Sequence, residues 1–201
     1  QKGEVGQKGQ KGELADGMAI TVYDNTGGQD VTSGAVLNLD TTAHTTSTQT
    51  FVLSNDVLTI NASDLFTFHL EVTTDILSGS SRSVSKAYLQ EYNGSTWSTV
   101  DGTTVYMYNR ISGNGEATGA ATFTRSVTSG YGYRIYVVRH TGSDTIRTVA
   151  DASRLTVVGV SGGTQGPQGT GSVAGPAGAT GAKGQKGEIG ETGSKGQKGE
   201  I

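Results

Sequence analysis

Glycine recurs at every third position near both ends of the chain, and this period constrains the fold more than any other feature. Between positions 163 and 199, every slot of the three-residue repeat holds glycine except the one that holds Ser172. Positions 3 to 12 follow the same rule, and Ala15 ends that run. Three polyproline-II-like chains wound together leave room for only a hydrogen atom at their axis. The two ends of the chain therefore predict three-chain helices.

This arrangement is the collagen triple helix, which we predict for residues 1–14 and 163–201. Glycine makes up 32 of 201 residues, far less than one third, so the chain is not collagen throughout. A flexible linker is the alternative for such tails, but random placement does not hold a strict phase. A homotrimer follows from the three-chain helix. The glycines predicted to line its axis are Gly3, Gly6, Gly9, Gly12, Gly166, Gly169, Gly175, Gly178, Gly181, Gly184, Gly187, Gly190, Gly193, Gly196 and Gly199.

Charged residues in the two tails are sorted by their position in the repeat. Every Lys precedes a glycine and every Glu follows one, which produces Lys-Gly-Glu units. Each exposed ion pair contributes only about 0.2–1 kcal/mol, so such pairs matter by adding up over three chains. Proline occurs only at Pro167 and Pro176, and the charge pairs are expected to replace the stiffness that it normally supplies. The predicted interchain pairs involve Lys2, Glu4, Lys11, Glu13, Lys186, Glu188, Lys198 and Glu200.

Residues 15–162 change to a period of two, which is typical of β-strands. Residues 65–72 alternate most clearly, with Phe66, Phe68, Leu70 and Val72 on one face. Asn-Gly, Asp-Gly and Gly-Ser pairs separate the strands, and no helix of useful length is indicated. Many short strands with frequent turns predict an all-β sandwich or barrel. The predicted strands are 18–23, 35–39, 51–53, 57–60, 65–72, 83–92, 104–109, 118–127, 132–140, 145–149 and 153–160.

A collagen stalk joined to an all-β domain of this size resembles the trimeric jelly-roll heads of the complement and tumour-necrosis-factor superfamily. Residues 57–70 are similar to that family's step from an inner strand into an aromatic-rich strand. Residues 81–89, 106–110 and 148–157 resemble bacterial and phage members found beside collagen-like repeats. The resemblance covers about 18–160 and implies an all-β, trimeric jelly-roll sandwich, here flanked on both sides by collagen triple helix.

Composition excludes several function classes. The sequence contains no cysteine, so it has neither disulfides nor a cysteine-type zinc site. The middle of the chain carries 8 basic and 13 acidic residues, so it lacks the excess of basic residues that is typical of nucleic-acid binding. No apolar run approaches the roughly 20 residues of a membrane-spanning helix, so we expect no membrane insertion.

Histidine, serine and acidic residues offer few candidates for chemistry. His69 and Glu71 share one face of a predicted strand, where they could bind a metal or form a polar face at a trimer interface or in solvent; we favour the second interpretation. His44 and His140 have no evident partner. No Gly-x-Ser-x-Gly elbow occurs between a strand and a helix. We therefore expect no catalytic residues, no metal and no cofactor.

Aromatic residues are the enriched binding type in the middle of the chain. Trp97, on the predicted turn 93–101, is the best single candidate for ligand contact. Exposed rings can stack on sugars, because one face is apolar and a tyrosine hydroxyl can hydrogen-bond. The favoured alternative is that the tyrosines fill the sandwich and the subunit interface. These tyrosines are Tyr88, Tyr92, Tyr106, Tyr108, Tyr131, Tyr133 and Tyr136.

Taken together, these features predict a structural homotrimeric fibre subunit, such as a phage tail fibre or a cell-surface appendage. The jelly-roll knob would trimerise and register the collagen-like shafts, and the subunit would lie outside the cell or on a virion surface. Its partners would be further fibre subunits or segments. The alternative is an adhesion module that binds glycan or a host surface through loops of the knob.

Overall fold

The computed structural model describes residues 17–79, 81–110 and 115–160, which fold as an antiparallel β-sandwich. The axial glycines and interchain ion pairs predicted for 1–14 and 163–201 lie outside the described residues, so the triple helices remain predictions. Within the described residues, no helix has the length and hydropathy that crossing a membrane requires.

The described part of the chain is a succession of β-strands. The strands are β1 (Ala19–Tyr23), β2 (Ala35–Val36), β3 (Thr41–Thr45), β4 (Phe51–Ser54), β5 (Val57–Ile60), β6 (Asp64–Ser78), β7 (Ser83–Tyr92), β8 (Trp97–Thr99), β9 (Val105–Asn109), β10 (Ala117–Val127), β11 (Tyr131–Thr141), β12 (Thr145–Thr148) and β13 (Arg154–Gly159).

These strands form two sheets. The six-stranded sheet has the order β10-β6-β13-β1-β3, with β12 also paired to β6. The seven-stranded sheet has the order β4-β5-β11-β7-β8, with β2 paired to β11 and β9 paired to β7. Neighbours such as β1 and β13 are far apart in the sequence, as expected of a jelly-roll-like sandwich rather than a simple meander. The all-β class and the sandwich are confirmed.

The core lies between the sheets and is built by the alternation seen in the sequence. Phe66, Phe68, Leu70 and Val72 all point inward from β6 and are fully buried. The ring of Phe68 lies 4.9 Å from that of Tyr133 on the opposite sheet. Burying a large apolar side chain contributes about 1.5–3 kcal/mol, so these inward rows are a main source of stability.

Polar side chains also join the two sheets inside the sandwich. The hydroxyls of Thr74 and Ser85 lie 2.7 Å apart, and both face the Asn109 Oδ1 at 3.2 Å. The Asn109 amide donates to the carbonyls of Thr74 and Gly115 at 2.7 and 2.9 Å. Because buried polar groups are costly unless they are paired, this network fixes the packing of β6, β7 and β9.

Candidate functional site

The chain enters and leaves the domain at the same place. Strands β1 and β13 pair so that Ala19 lies opposite Val158. Just beyond this pair, the Gly159 amide donates a hydrogen bond to the Met18 carbonyl at 2.7 Å. The first and last strands of the domain therefore lie side by side in the six-stranded sheet.

Apolar side chains are exposed at this end. Leu65, Val158 and Val160 are 39, 42 and 49% exposed, and we call these three residues the root cluster. The Val160 amide donates to the Leu65 carbonyl at 2.8 Å, which holds the end of the chain against β6. An exposed apolar cluster is a common mark of an interaction surface.

Threonine hydroxyls pair across neighbouring strands on the outer face of the six-stranded sheet. Thr21 and Thr156 pair at 3.0 Å across β1 and β13, and Thr67 and Thr124 pair at 2.9 Å across β6 and β10. Such cross-strand pairs stabilise the sheet and satisfy the hydroxyls locally.

His69 and Glu71 lie on this same outer face, as their spacing of two residues along one strand predicted. The Nε2 of His69 is 3.8 Å from the Oε2 of Glu71, and its Nδ1 is 2.8 Å from the Thr122 hydroxyl. Arg154 lies 3.6 Å from the other oxygen of Glu71. Among the described residues, no three His, Cys, Asp or Glu side chains group as metal ligands. The pair thus belongs to a polar network with Thr122 and Arg154 on this face.

Trp97 was predicted to lie on a turn, and this is wrong. It begins strand β8 and pairs with Tyr92. The turn before this strand is closed by Asn93, whose Oδ1 accepts hydrogen bonds from the amides of Ser95 and Thr96 at 3.0 and 2.9 Å. The Arg134 guanidinium lies 3.8 Å from the centre of the indole ring. Trp97 is therefore partly covered and lies on a strand instead of a loop tip, and ligand contact at this residue stays a prediction.

The interpretation that the tyrosines fill the sandwich holds for Tyr133, which is fully buried, and for Tyr131, which packs partly buried against the core. The part that assigns tyrosines to the subunit interface stays a prediction. Alternation along β9 puts Val105 and Met107 inside and leaves Tyr106 and Tyr108 outside, 57 and 47% exposed. A similar alternation along β7 and β11 places three more tyrosines on the outer face of the seven-stranded sheet: Tyr88, Tyr92 and Tyr136. Five of the seven tyrosines thus lie on the outer face of this sheet and not in the sandwich.

A cleft of about 380 Å³ opens at the edge of the sandwich between β8 and β10, with Phe123 among its lining residues. In its wall, Glu91 accepts from the Arg125 guanidinium at 2.9 Å and from the Tyr133 hydroxyl at 2.7 Å. Burial, and then the bond to Glu91, raises the pKa of Tyr133 far above its ordinary range. Two donors therefore hold this carboxylate in the wall of the cleft.

Comparison with known proteins places the fold. No protein-family model and no curated protein matches the sequence. Among solved structures, murine APRIL aligns with a TM-score of 0.54 and 5% identity over 72% of this chain and 100% of that chain. Eiger TNF from S. frugiperda aligns with a TM-score of 0.54 and 13% identity over 76% of this chain and 98% of that chain. The described domain therefore has a jelly-roll fold of the tumour-necrosis-factor type.

Proposed function

We propose that the described domain is the trimerisation head of a homotrimeric fibre subunit. The head ties three chains together so that residues 1–14 and 163–201 can wind into collagen-like triple helices. The observation that carries this proposal is the meeting of β1 and β13, with the root cluster exposed beside them. Three chains held at this point would raise the local concentration of their repeats, which favours winding.

The six-stranded sheet supplies the trimer interface in this proposal. A triple helix brings three chains to one axis, so the points where the chains leave the three heads must lie close to that axis. Both points belong to the six-stranded sheet, through Met18 and Gly159. Packing the three root clusters together would remove apolar surface from water at about 25 cal/mol per Å².

The proposed role is structural and not enzymatic, and its setting is extracellular or on a virion surface. It is supported by a jelly-roll fold shared with APRIL and a TNF, by the occupied Glu91 in the cleft, and by a sequence that contains no cysteine nucleophile. Further fibre subunits or segments would be its partners, in a phage tail fibre or a cell-surface appendage.

A matched pair of substitutions tests where the subunits meet. Val158 in the root cluster and Val52 on the outer face of the other sheet are 42 and 41% exposed. Val158→Asp should shift the mass in light scattering from three chains to one and remove the circular dichroism of the triple helix. Val52→Asp should keep both signals. A trimer that survives Val158→Asp and dissociates with Val52→Asp would contradict the proposed interface.

Recognition is the second candidate function, in which the head binds glycan or a host surface. The observation that favours it is the set of aromatic side chains, including Trp97, on the outer face of the seven-stranded sheet. This face lies on the opposite side of the sandwich from the proposed trimer interface, so the two functions are compatible. Binding to a glycan panel by Trp97→Ala, with its mass measured in parallel, separates loss of recognition from loss of assembly.

A further inference from the structure

The outer face of the seven-stranded sheet carries several aromatic side chains along its strands, which we call the aromatic face. Strand pairing puts them in order: Val84 lies opposite Tyr108, Lys86 opposite Tyr106, and Tyr92 opposite Trp97. From Val84 to Tyr92 the row extends about 27 Å at about 3.4 Å per residue. The aromatic face comprises Tyr88, Tyr92, Trp97, Tyr106, Tyr108 and Tyr136.

Ring contacts hold these side chains in place. The Tyr88 and Tyr136 rings are 5.5 Å apart, and Tyr136 packs over Gly34, a residue at positive φ where a side chain would collide with the tyrosine hydroxyl. The rings of Tyr106 and His140 are 5.2 Å apart and meet edge to face. Pre-positioned rings lose little conformational freedom on binding, which favours affinity.

Cations interleave with the rings, and carboxylates do not. The Lys86 Nζ lies 5.8 Å from the centre of the Tyr88 ring, and Arg134 stacks on Trp97 while its Nε donates to Gln90 at 2.8 Å. No strand of the seven-stranded sheet, all of which lie in the described residues, directs an Asp or Glu to this face. A chain of net charge −3 therefore presents one face that is basic and aromatic.

We propose that the aromatic face binds an extended acidic polysaccharide. Ring faces accept the apolar C–H faces of sugars, and tyrosine hydroxyls bond to sugar hydroxyls. Lys86 and Arg134 pair with carboxylate or sulfate groups, since no strand of this sheet directs a carboxylate of its own to the face. The length of the row suits several linked sugars better than a single one.

Two other occupants fit less well. A nucleic acid presents closely spaced phosphates and needs many cations along its path, whereas the strands provide only Lys86 and Arg134 as permanent cations here. A second copy of the same face would bring cation against cation. The proposal deepens the recognition function and does not depend on the trimer.

Binding of the full chain to immobilised dextran sulfate, polygalacturonate and neutral dextran tests the proposal. We expect binding to at least one acidic polymer, weaker binding as salt screens the charges, and little binding to neutral dextran. The double variant Tyr106→Ser/Tyr108→Ser should lose about tenfold in affinity, and Lys86→Gln about threefold. Arg154→Gln, which removes a cation from the other sheet, should change little.

The mass of every variant, measured alongside, separates this inference from the trimer proposal. A wild-type chain that is monomeric but still binds contradicts only the trimer. Failure to bind either acidic polymer overturns the inference. An equal loss of affinity in Lys86→Gln and Arg154→Gln overturns it as well. Tighter binding to a single-stranded oligonucleotide than to both acidic polymers would assign the face to nucleic acid instead.

Discussion

The Gly159 amide donates to the Met18 carbonyl across 2.7 Å, which closes the domain where the chain enters and leaves it. These residues are far apart in the sequence and meet only because β1 and β13 pair. The proposal about assembly depends on this contact, because it places both ends of the described domain side by side in the six-stranded sheet. Its position in the six-stranded sheet also decides which face would approach a three-fold axis.

A disulfide across this contact tests the geometry directly. A Cβ added to Gly159 lies 3.2 Å from the Met18 Cβ, within a few tenths of an ångström of disulfide spacing. The natural sequence contains no cysteine, so Met18→Cys/Gly159→Cys has a single possible intrachain partner. We expect the folded variant to oxidise and its Tm to rise. Free thiols that persist in the folded, oxidised sample would contradict the pairing, and Met18→Cys alone serves as the control.

Alkaline pH should unfold the head through Tyr133. Burial and the bond to Glu91 raise the pKa of this tyrosine above its ordinary value of about 10, so the folded state holds the proton more tightly than the unfolded state. The resulting stabilisation is complete below about pH 10 and is lost as the pH rises toward the folded pKa. The free energy of unfolding should fall by about 1.4 kcal/mol per pH unit in that range from this group.

Denaturant titrations of two tyrosine variants check the assignment. Tyr133→Phe has no hydroxyl to ionise, so its free energy of unfolding should fall less steeply above pH 10. At neutral pH the variant should be less stable by about 0.5–1.5 kcal/mol, because it lacks the bond to Glu91. Tyr108→Phe changes an exposed tyrosine and should keep the steep fall. Equal slopes for the two variants would show that Tyr133 is not the group responsible.

Ser172 should weaken the proposed C-terminal triple helix. It occupies a glycine slot, where its side chain would crowd the axis once in each of three chains. Ser172→Gly should therefore raise the melting temperature followed by circular dichroism at the polyproline-II band. Gly178→Ser, the reverse change two slots later, should lower it. If Ser172→Gly melts like the wild type, the slot is not on the axis.

The sequence predicted the strands well where one side chain in two is apolar. The alternation from Phe66 to Val72 placed four side chains correctly in the core, and β5 and β7 have the predicted bounds. Strand β3 was not predicted, because Thr41–Thr45 is an edge strand with little buried surface and no apolar alternation. Edge strands carry a weak sequence signal because only backbone pairing holds them.

The aromatic face and the adjoining ends could not be predicted for different reasons. Period two separates Tyr106 and Tyr108 from Val105 and Met107, but it does not say which set faces the core. Trp97 was placed on a turn because the Asn-Gly pair before it marks a turn, whereas that turn ends one residue before β8 begins. The pairing of β1 with β13 joins residues far apart in the sequence, and no local sequence pattern determines the order of strands in a sheet.

The mass of the full chain in solution, measured by light scattering at micromolar concentration, tests the central claim most directly. The account predicts a particle of three times the 20.6 kDa chain mass, which persists when the collagen-type circular dichroism has melted. Persistence would show that the head, and not the repeats, holds the chains together. A monomer before melting would contradict the account, as would a trimer that dissociates together with the triple helix while the head stays folded.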